Sequence, residues 1–387
     1  MTGGLIETDI YCFLRAVTKP QPLHLLPPER RHHVWIPGAK RISRLDPTSM
    51  PGLPSTARFR INSQGLRGRE FGPDTDYRIL VMGGSTVECM YIDDENAWPA
   101  IVGAALPRTS EGRSAWIGAA GRSGMNSRDH VPQFKYLTAQ YPRIDTVLLL
   151  VGINDVVVTL IRGDHYVLPP PVTDPEAEQR QITRAFMTWP GKLRDQARRG
   201  DPWYARTALY QFARRLRNAG TLSIGTSAYG QQYSAWRLNR KRAGRMLDDL
   251  PDLEAPLFEF QRNLEAIADL AVLRGIRLVL LTQPVLWRDD LSVEEQDLLW
   301  LGGVGKDFEN TPGNPHYTVR ALAEAMRRFN DATIDMASKR GLGCIDLGAR
   351  IQRTPAMFLD DTHFTLMGCR AVASEVVENL RQWPPFV

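Results

Sequence analysis

The chain has 387 residues, 43% hydrophobic and 24% charged, with 31 Gly and 27 Pro, a globular composition that excludes collagen-like, coiled-coil and wholly disordered readings. Its formal charge of +5 is localised: residues 191–245 hold thirteen Lys or Arg against two Asp, so the rest of the chain is net negative. A charged partner is therefore to be sought at that segment and not over the whole surface.

Residues 1–77 contain nine prolines and little helical period, which predicts an extended arm packed on the core and without a core of its own. The first 25 residues lack an apolar stretch long enough for a signal peptide, so a cytoplasmic, non-exported chain is expected. From Arg78 the texture changes. Short apolar strands bounded by Gly are predicted at 79–82, 115–118, 146–151, 277–281 and 343–346. Between them, apolar residues three or four apart predict helices over 97–106, 128–140, 258–273 and 319–339, and a last helix over 366–380 with Thr365 as its N-cap. Strand and helix in alternation are the pattern of an α/β fold, a parallel sheet covered on both faces. The longest apolar run, residues 147–153, is far short of the ~20 that a membrane helix needs.

Residues 78–387 then form one domain, interrupted at 161–255 by a stretch far longer than a strand-to-helix loop. This basic, largely helical insertion contains Pro169-Pro170-Pro171 and a helix predicted over 203–218, with Tyr204, Ala208, Leu209, Phe212 and Leu216 on one face. Arg206, Arg214 and Arg217 fall mainly off that face. Two readings stay open: a lid whose arginines are solvated or paired with the acidic remainder, and an element that rests on anionic membrane or an acidic polymer through 191–245. No recognition motif accompanies the charge, so no nucleic acid is expected. The four cysteines, Cys12, Cys89, Cys344 and Cys369, have neither CxxC nor zinc spacing and read as small buried residues. No metal and no cofactor are expected.

Parallel sheets bind ligands beyond the carboxyl ends of their strands. There the sequence places Gly83-Gly84-Ser85-Thr86, then Gly121-Arg122-Ser123-Gly124, then Gly152-Ile153-Asn154-Asp155. Asp360-Asp361-Thr362-His363 precedes the last helix. An acyl-transfer site needs a hydroxyl, an imidazole to take its proton, a carboxylate to orient the imidazole, and donors for the developing oxyanion. All four parts are present, and their co-occurrence is the signal, because each alone is commonly a turn or a cap.

The four segments, in this order, resemble the SGNH hydrolases, the GDSL esterase and lipase family. The matching Ser is Ser85, in Gly-Gly-Ser where the family more often has Gly-Asp-Ser; the Gly is Gly124, with Gly121 as its rival; the Asn is Asn154; the Asp-x-x-His block is Asp360 and His363. The resemblance spans roughly 78–160 and 256–380 and implies a three-layer α/β/α sandwich with a five-stranded parallel sheet of flavodoxin-like order. It implies a Ser85 nucleophile, a His363 base oriented by Asp360, and an oxyanion hole from the Ser85 and Gly124 N–H groups and the Asn154 amide. Residues 60–68, Arg-Ile-Asn-Ser-Gln-Gly-Leu-Arg-Gly, are similar to a stretch ahead of the Ser block in some relatives and carry no assignable chemistry.

Gln283 and Trp287 follow the fourth strand and are candidates for lining the substrate pocket, with packing under the insertion as the alternative for Trp287. Asp361 is expected to shape its turn and Asp155 to cap the helix that follows it. The other histidines, His32-His33 among them, read as surface or packing residues. The expected activity is cleavage of a carboxylic oxygen ester, with a small-molecule, lipid or glycan ester as substrate. The alternatives are a carbohydrate O-acetyl esterase or O-acyltransferase, and an inactive domain that binds glycan or lipid.

Overall fold

The structure is a computed structural model that describes residues 31–72, 76–170, 172, 174–188 and 229–387. A hairpin of β1 (Lys40–Arg44) and β2 (Thr56–Arg60) comes first, followed by the two-residue β3 (Arg67–Gly68). The main strands are β4 (Tyr77–Gly83), β5 (Ala115–Gly121) and β6 (Thr146–Leu150). Then come β7 (Met246–Leu247), β8 (Arg277–Leu281), β9 (His316–Tyr317) and β10 (Gly343–Ile345). The helices used below are α1 (Ser85–Glu88), α2 (Trp98–Ala105), α3 (Ser127–Gln140), α4 (Ile153–Arg162), α5 (Pro175–Ala185), α6 (Tyr229–Lys241), α7 (Glu254–Arg274), α8 (Val319–Arg340) and α9 (Leu366–Arg381).

The central sheet runs β10-β8-β6-β4-β5-β3. Five strands are parallel, and β3 alone is antiparallel to β5. In chain order the parallel strands lie 2-1-3-4-5, the flavodoxin-like order. Residues 79–82, 147–150 and 278–281 are buried throughout, because strands covered on both faces must be apolar on both. Helices α3, α7 and α8 pack together on one face; α2 and α9 pack together on the other.

All five predicted strands and the helices at 97–106, 128–140, 258–273, 319–339 and 366–380 are present, each end within a few residues of its expected place. Thr365 caps α9, accepting from the Gly368 N–H at 3.1 Å. The sheet differs from the expected five strands by its sixth, β3, which is two residues long and so too short to carry an alternating pattern. Within 31–72, Val34, Met50, Ala57, Phe59 and Leu66 are buried in the protein interior. The helix predicted over 203–218 and most of the basic stretch lie outside the described residues. No helix among the described residues is long and apolar enough to cross a membrane.

Candidate active site

Strand order reverses at β4, which lies between β5 and β6, so the loops after these three strands open toward one crevice. β4 delivers Gly83 and Gly84 to the sheet edge, and α1 begins at once with Ser85. A Cβ on Gly84 would lie 2.4 Å from Asn154 Nδ2. Glycine at this position therefore lets the Asn154 amide sit against the turn, which gives a physical reason for Gly-Gly-Ser in this chain. Neither the Ser85 N–H nor the Gly124 N–H has a hydrogen-bond acceptor among the described residues.

The Ser85 hydroxyl donates to His363 Nε2 at 2.9 Å, and His363 Nδ1–H donates to Asp360 Oδ2 at 2.8 Å. Asp360 is fully buried, and its Oδ1 accepts from the Thr362 and His363 backbone N–H groups. Burial alone favours a neutral carboxyl, yet the His363 charge and these hydrogen bonds outweigh it and hold Asp360 below its ordinary range. For His363, burial pulls downward, and the charge and hydrogen bond of Asp360 more than offset it, so the imidazole is raised above 6.5.

Trp300 donates its indole N–H to the same Asp360 Oδ2 at 3.0 Å. The backbone N–H groups of Trp300 and Leu301 donate to Asp361 Oδ2, and Trp287 Nε1 donates to Asp361 Oδ1 at 2.8 Å. Asp361 thus shapes its turn, as expected, by pinning two distant segments to it. Helix α6 supports the same place: Arg237 donates to the carbonyls of Ser49, Leu298 and Leu359, and Arg240 to those of Leu301 and Tyr317. These two members of the basic stretch are buried. They are internal staples and have no part in a solvated face.

Ser85, Gly124, Asn154 and His363 line one cavity of about 390 Å³. Asn154 Nδ2 donates to Met125 O at 2.8 Å, which leaves its second amide hydrogen for a ligand. Gly124 adopts φ +76°, a conformation that favours glycine. Gly121 has a different task, since a Cβ there would lie 2.2 Å from the Glu88 nitrogen, so this glycine lets α1 rest on β5. The rest of the wall is mainly apolar and aromatic, with Ile153, Val157, Tyr233, Trp236, Trp300 and Phe308 prominent. Among the described residues, no group of three or more His, Cys, Asp or Glu side chains is arranged to hold a metal ion.

Gln283 and Trp287 do not line the cavity, which corrects the expectation for both. Trp287 is 0% exposed with its indole N–H committed to Asp361, and Gln283 is 1% exposed with its amide spent on Pro284 O and Thr362 Oγ1. Asp155 does not cap its own helix. It accepts from the Ser127 N–H and hydroxyl, joining the start of α4 to the start of α3, and burial pushes its carboxyl up to about 7. His32 and His33 are buried, His32 stacked on Tyr136. Cys89 and Cys369 are buried and Cys344 is partly so, while Cys12 lies outside the described residues.

Sequence reasoning missed four supports of the site: Arg67, Glu88, Trp300 and Arg237. The 60–68 segment now has a role, since Asn62 Oδ1 accepts from the Gln64 and Leu66 N–H groups and shapes the turn ahead of β3. Arg67 then donates to the Glu88 and Cys89 carbonyls at 2.7 and 2.6 Å, closing the end of the helix that starts with Ser85. An arginine in an Asn-Ser-Gln-Gly-Leu-Arg turn was the available signal, but nothing in the sequence says which carbonyls it reaches.

No family model matches the chain, and no curated protein matches it by sequence. Solved structures similar in fold include an α/β hydrolase enzyme from the metagenome of Lake Arreo, Spain, at 12% identity, covering 80% of this chain and 96% of that one with a TM-score of 0.40. A member of the lipolytic protein G-D-S-L family from Veillonella parvula has 10% identity, coverages of 78% and 97%, and a TM-score of 0.39. An acetylxylan esterase from Geobacillus stearothermophilus has 12% identity, coverages of 80% and 96%, and a TM-score of 0.39. A reading of activity rests on the hydrogen-bonded side chains of this chain.

Proposed function

We propose that the protein is a serine-dependent hydrolase of a carboxylic oxygen ester, of the SGNH type. The observation that carries this reading is the continuous chain from Ser85 Oγ through His363 to Asp360 Oδ2, opening on the cavity that Asn154 and Gly124 also line. In this reading Ser85 Oγ attacks the ester carbonyl while His363 Nε2 takes its proton. The tetrahedral oxyanion is met by the N–H groups of Ser85 and Gly124 and by the free amide hydrogen of Asn154. His363 then protonates the leaving alcohol as the C–O bond breaks, leaving an acyl group on Ser85. Water, deprotonated by the same imidazole, attacks the acyl-enzyme and releases the acid and the Ser85 hydroxyl.

Asp360 holds the imidazole in the tautomer that presents a bare Nε2 to the serine and stabilises the imidazolium once formed. The largely apolar wall suits the carbon chain of an ester better than a highly charged group. An inactive binding domain would have no use for a buried carboxylate spent on orienting one histidine. Turnover of p-nitrophenyl esters of increasing acyl length tests the reading. Hydrolysis lost in Ser85→Ala is expected, and absence of turnover with every ester by the folded wild-type protein would overturn it. A sugar hydroxyl acting as acceptor in place of water would appear as acyl transfer in the same assay with added oligosaccharide.

A further inference from the structure

Glu88 is 1% exposed, stands three residues after Ser85 at the end of α1, and lines the cavity. A buried carboxyl costs stability wherever it is not fully satisfied. Its Oε2 accepts from the Ser123 N–H at 2.8 Å and from the Ser123 hydroxyl, while Oε1 has no hydrogen-bond partner among the described residues. An apolar side chain would pack here at lower cost, so what the acid does for Ser123 needs an account.

Ser123 belongs to the turn that carries Gly124. Among the described residues, no atom lies within 4 Å of a Cβ built on Gly124 at the middle of that turn. Its ends are braced by two backbone bonds, Arg122 N–H to Gly83 O at 3.2 Å and Met125 N–H to Arg122 O at 3.3 Å, by the Arg122 guanidinium on Arg184 O at 3.1 Å and by the buried Met125 side chain. The turn matters twice, because Gly124 lines the cavity and the Met125 carbonyl anchors the Asn154 amide.

We propose that Glu88 is a positioning residue: by gripping Ser123 through two hydrogen bonds it fixes the turn that aims the Gly124 N–H and anchors the Asn154 amide, two of the three oxyanion donors. The proposal rests on the ester-hydrolase reading of the site. Arg67 from β3, Tyr91 after α1, Arg122 and Ser123 from the loop after β5, and His363 from the turn before α9 are charged and polar groups around the carboxyl. Both Ser123 donors go to one oxygen. A glutamine, whose carbonyl oxygen can accept both, therefore keeps the grip and removes only the charge.

The test compares Glu88→Ala with Glu88→Gln on p-nitrophenyl acetate. Loss of donor alignment predicts a fall in kcat of roughly ten- to a hundredfold for Glu88→Ala with KM changed less than about threefold, and recovery in Glu88→Gln to within about threefold of wild type. Equal losses in both variants overturn positioning in favour of a charge effect, and unchanged kcat in both overturns any role. Should Glu88→Ala not fold, Ser123→Ala removes the hydroxyl bond alone and is expected to lower kcat by roughly two- to fivefold. Crystal structures of the wild type and an alanine variant supply a readout independent of turnover: Gly124 is expected to leave its place in the cavity wall, and an undisturbed turn overturns the proposal. A wild-type protein without activity would count against the ester-hydrolase reading alone, since this crystallographic comparison still decides the role of Glu88.

Discussion

The two halves of the site are held in different ways. The half proposed to hold the nucleophile, Ser85 with Gly124 and Asn154, hangs from the ends of β4, β5 and β6, so backbone pairing in the middle of the sheet sets its position. The acid–base half, residues 360–363, has no such strand. Asp360, Asp361 and Leu359 are fixed by Trp287, Trp300 and Arg237, side chains from three separate segments. One half is placed by the strands and trimmed by Glu88 and Arg67, the other is tied by side chains from distant segments, so damage should be more local in the first and spread through a network in the second.

The largest effect tests the shared centre. Ser85→Ala is expected to remove nearly all turnover, and Asp360→Asn to lower kcat by about 10⁴ through loss of the correct imidazole tautomer. Asn154→Ala, in the topological half, should cost about 10² to 10³ in kcat and leave thermal stability near wild type. A comparable loss of folding in that variant would show that strand pairing does not suffice to place this half.

In the networked half, Trp300→Phe keeps the ring in the aromatic wall and removes the donor to Asp360. A charge-assisted hydrogen bond of about 1.5 kcal/mol predicts a loss of roughly tenfold in kcat. The pH profile sharpens the point. In the proposed mechanism His363 must be neutral to accept the serine proton, and its basicity is raised, so the acidic limb of kcat/KM should lie above 6.5. Asp360→Asn removes the main raising influence, and its residual activity should show that limb moved to lower pH.

The smallest effect concerns stability. Burial pushes Glu88 and Asp155 up to about 7, well above their values in an unfolded chain. Between those values the folded state holds more protons, so stability falls as pH rises from the unfolded pKa through about 7. Melting temperatures of Glu88→Gln and Asp155→Asn measured from pH 5 to 8 should therefore decline less with pH than that of the wild type.

The same division explains what the sequence reveals. β4, β6 and β8 are short apolar runs ending at glycine or a polar turn, so period and punctuation locate Ser85 and Asn154 at strand ends. His363 is legible because Asp360 stands three residues before it, ahead of a capped helix. The supports are not. Arg237 and Arg240 point inward from a helix whose buried face is half cationic, so hydrophobic periodicity hides α6 and net charge suggests a surface. Trp300 reaches Asp360 across sixty residues of chain, and no local spacing encodes that. Trp287 was placed correctly after the fourth strand, but strand-end position alone does not say whether a side chain turns to the cavity or beneath it.

In the proposed mechanism one hydroxyl is activated by one imidazole. Mass mapping of peptides after treatment with a fluorophosphonate, on the wild type and His363→Ala side by side, tests it most directly. A single adduct on Ser85 is expected in the wild type, and a greatly slowed adduct in the variant. A folded wild-type protein left unlabelled at Ser85, or labelled equally fast without His363, would contradict it.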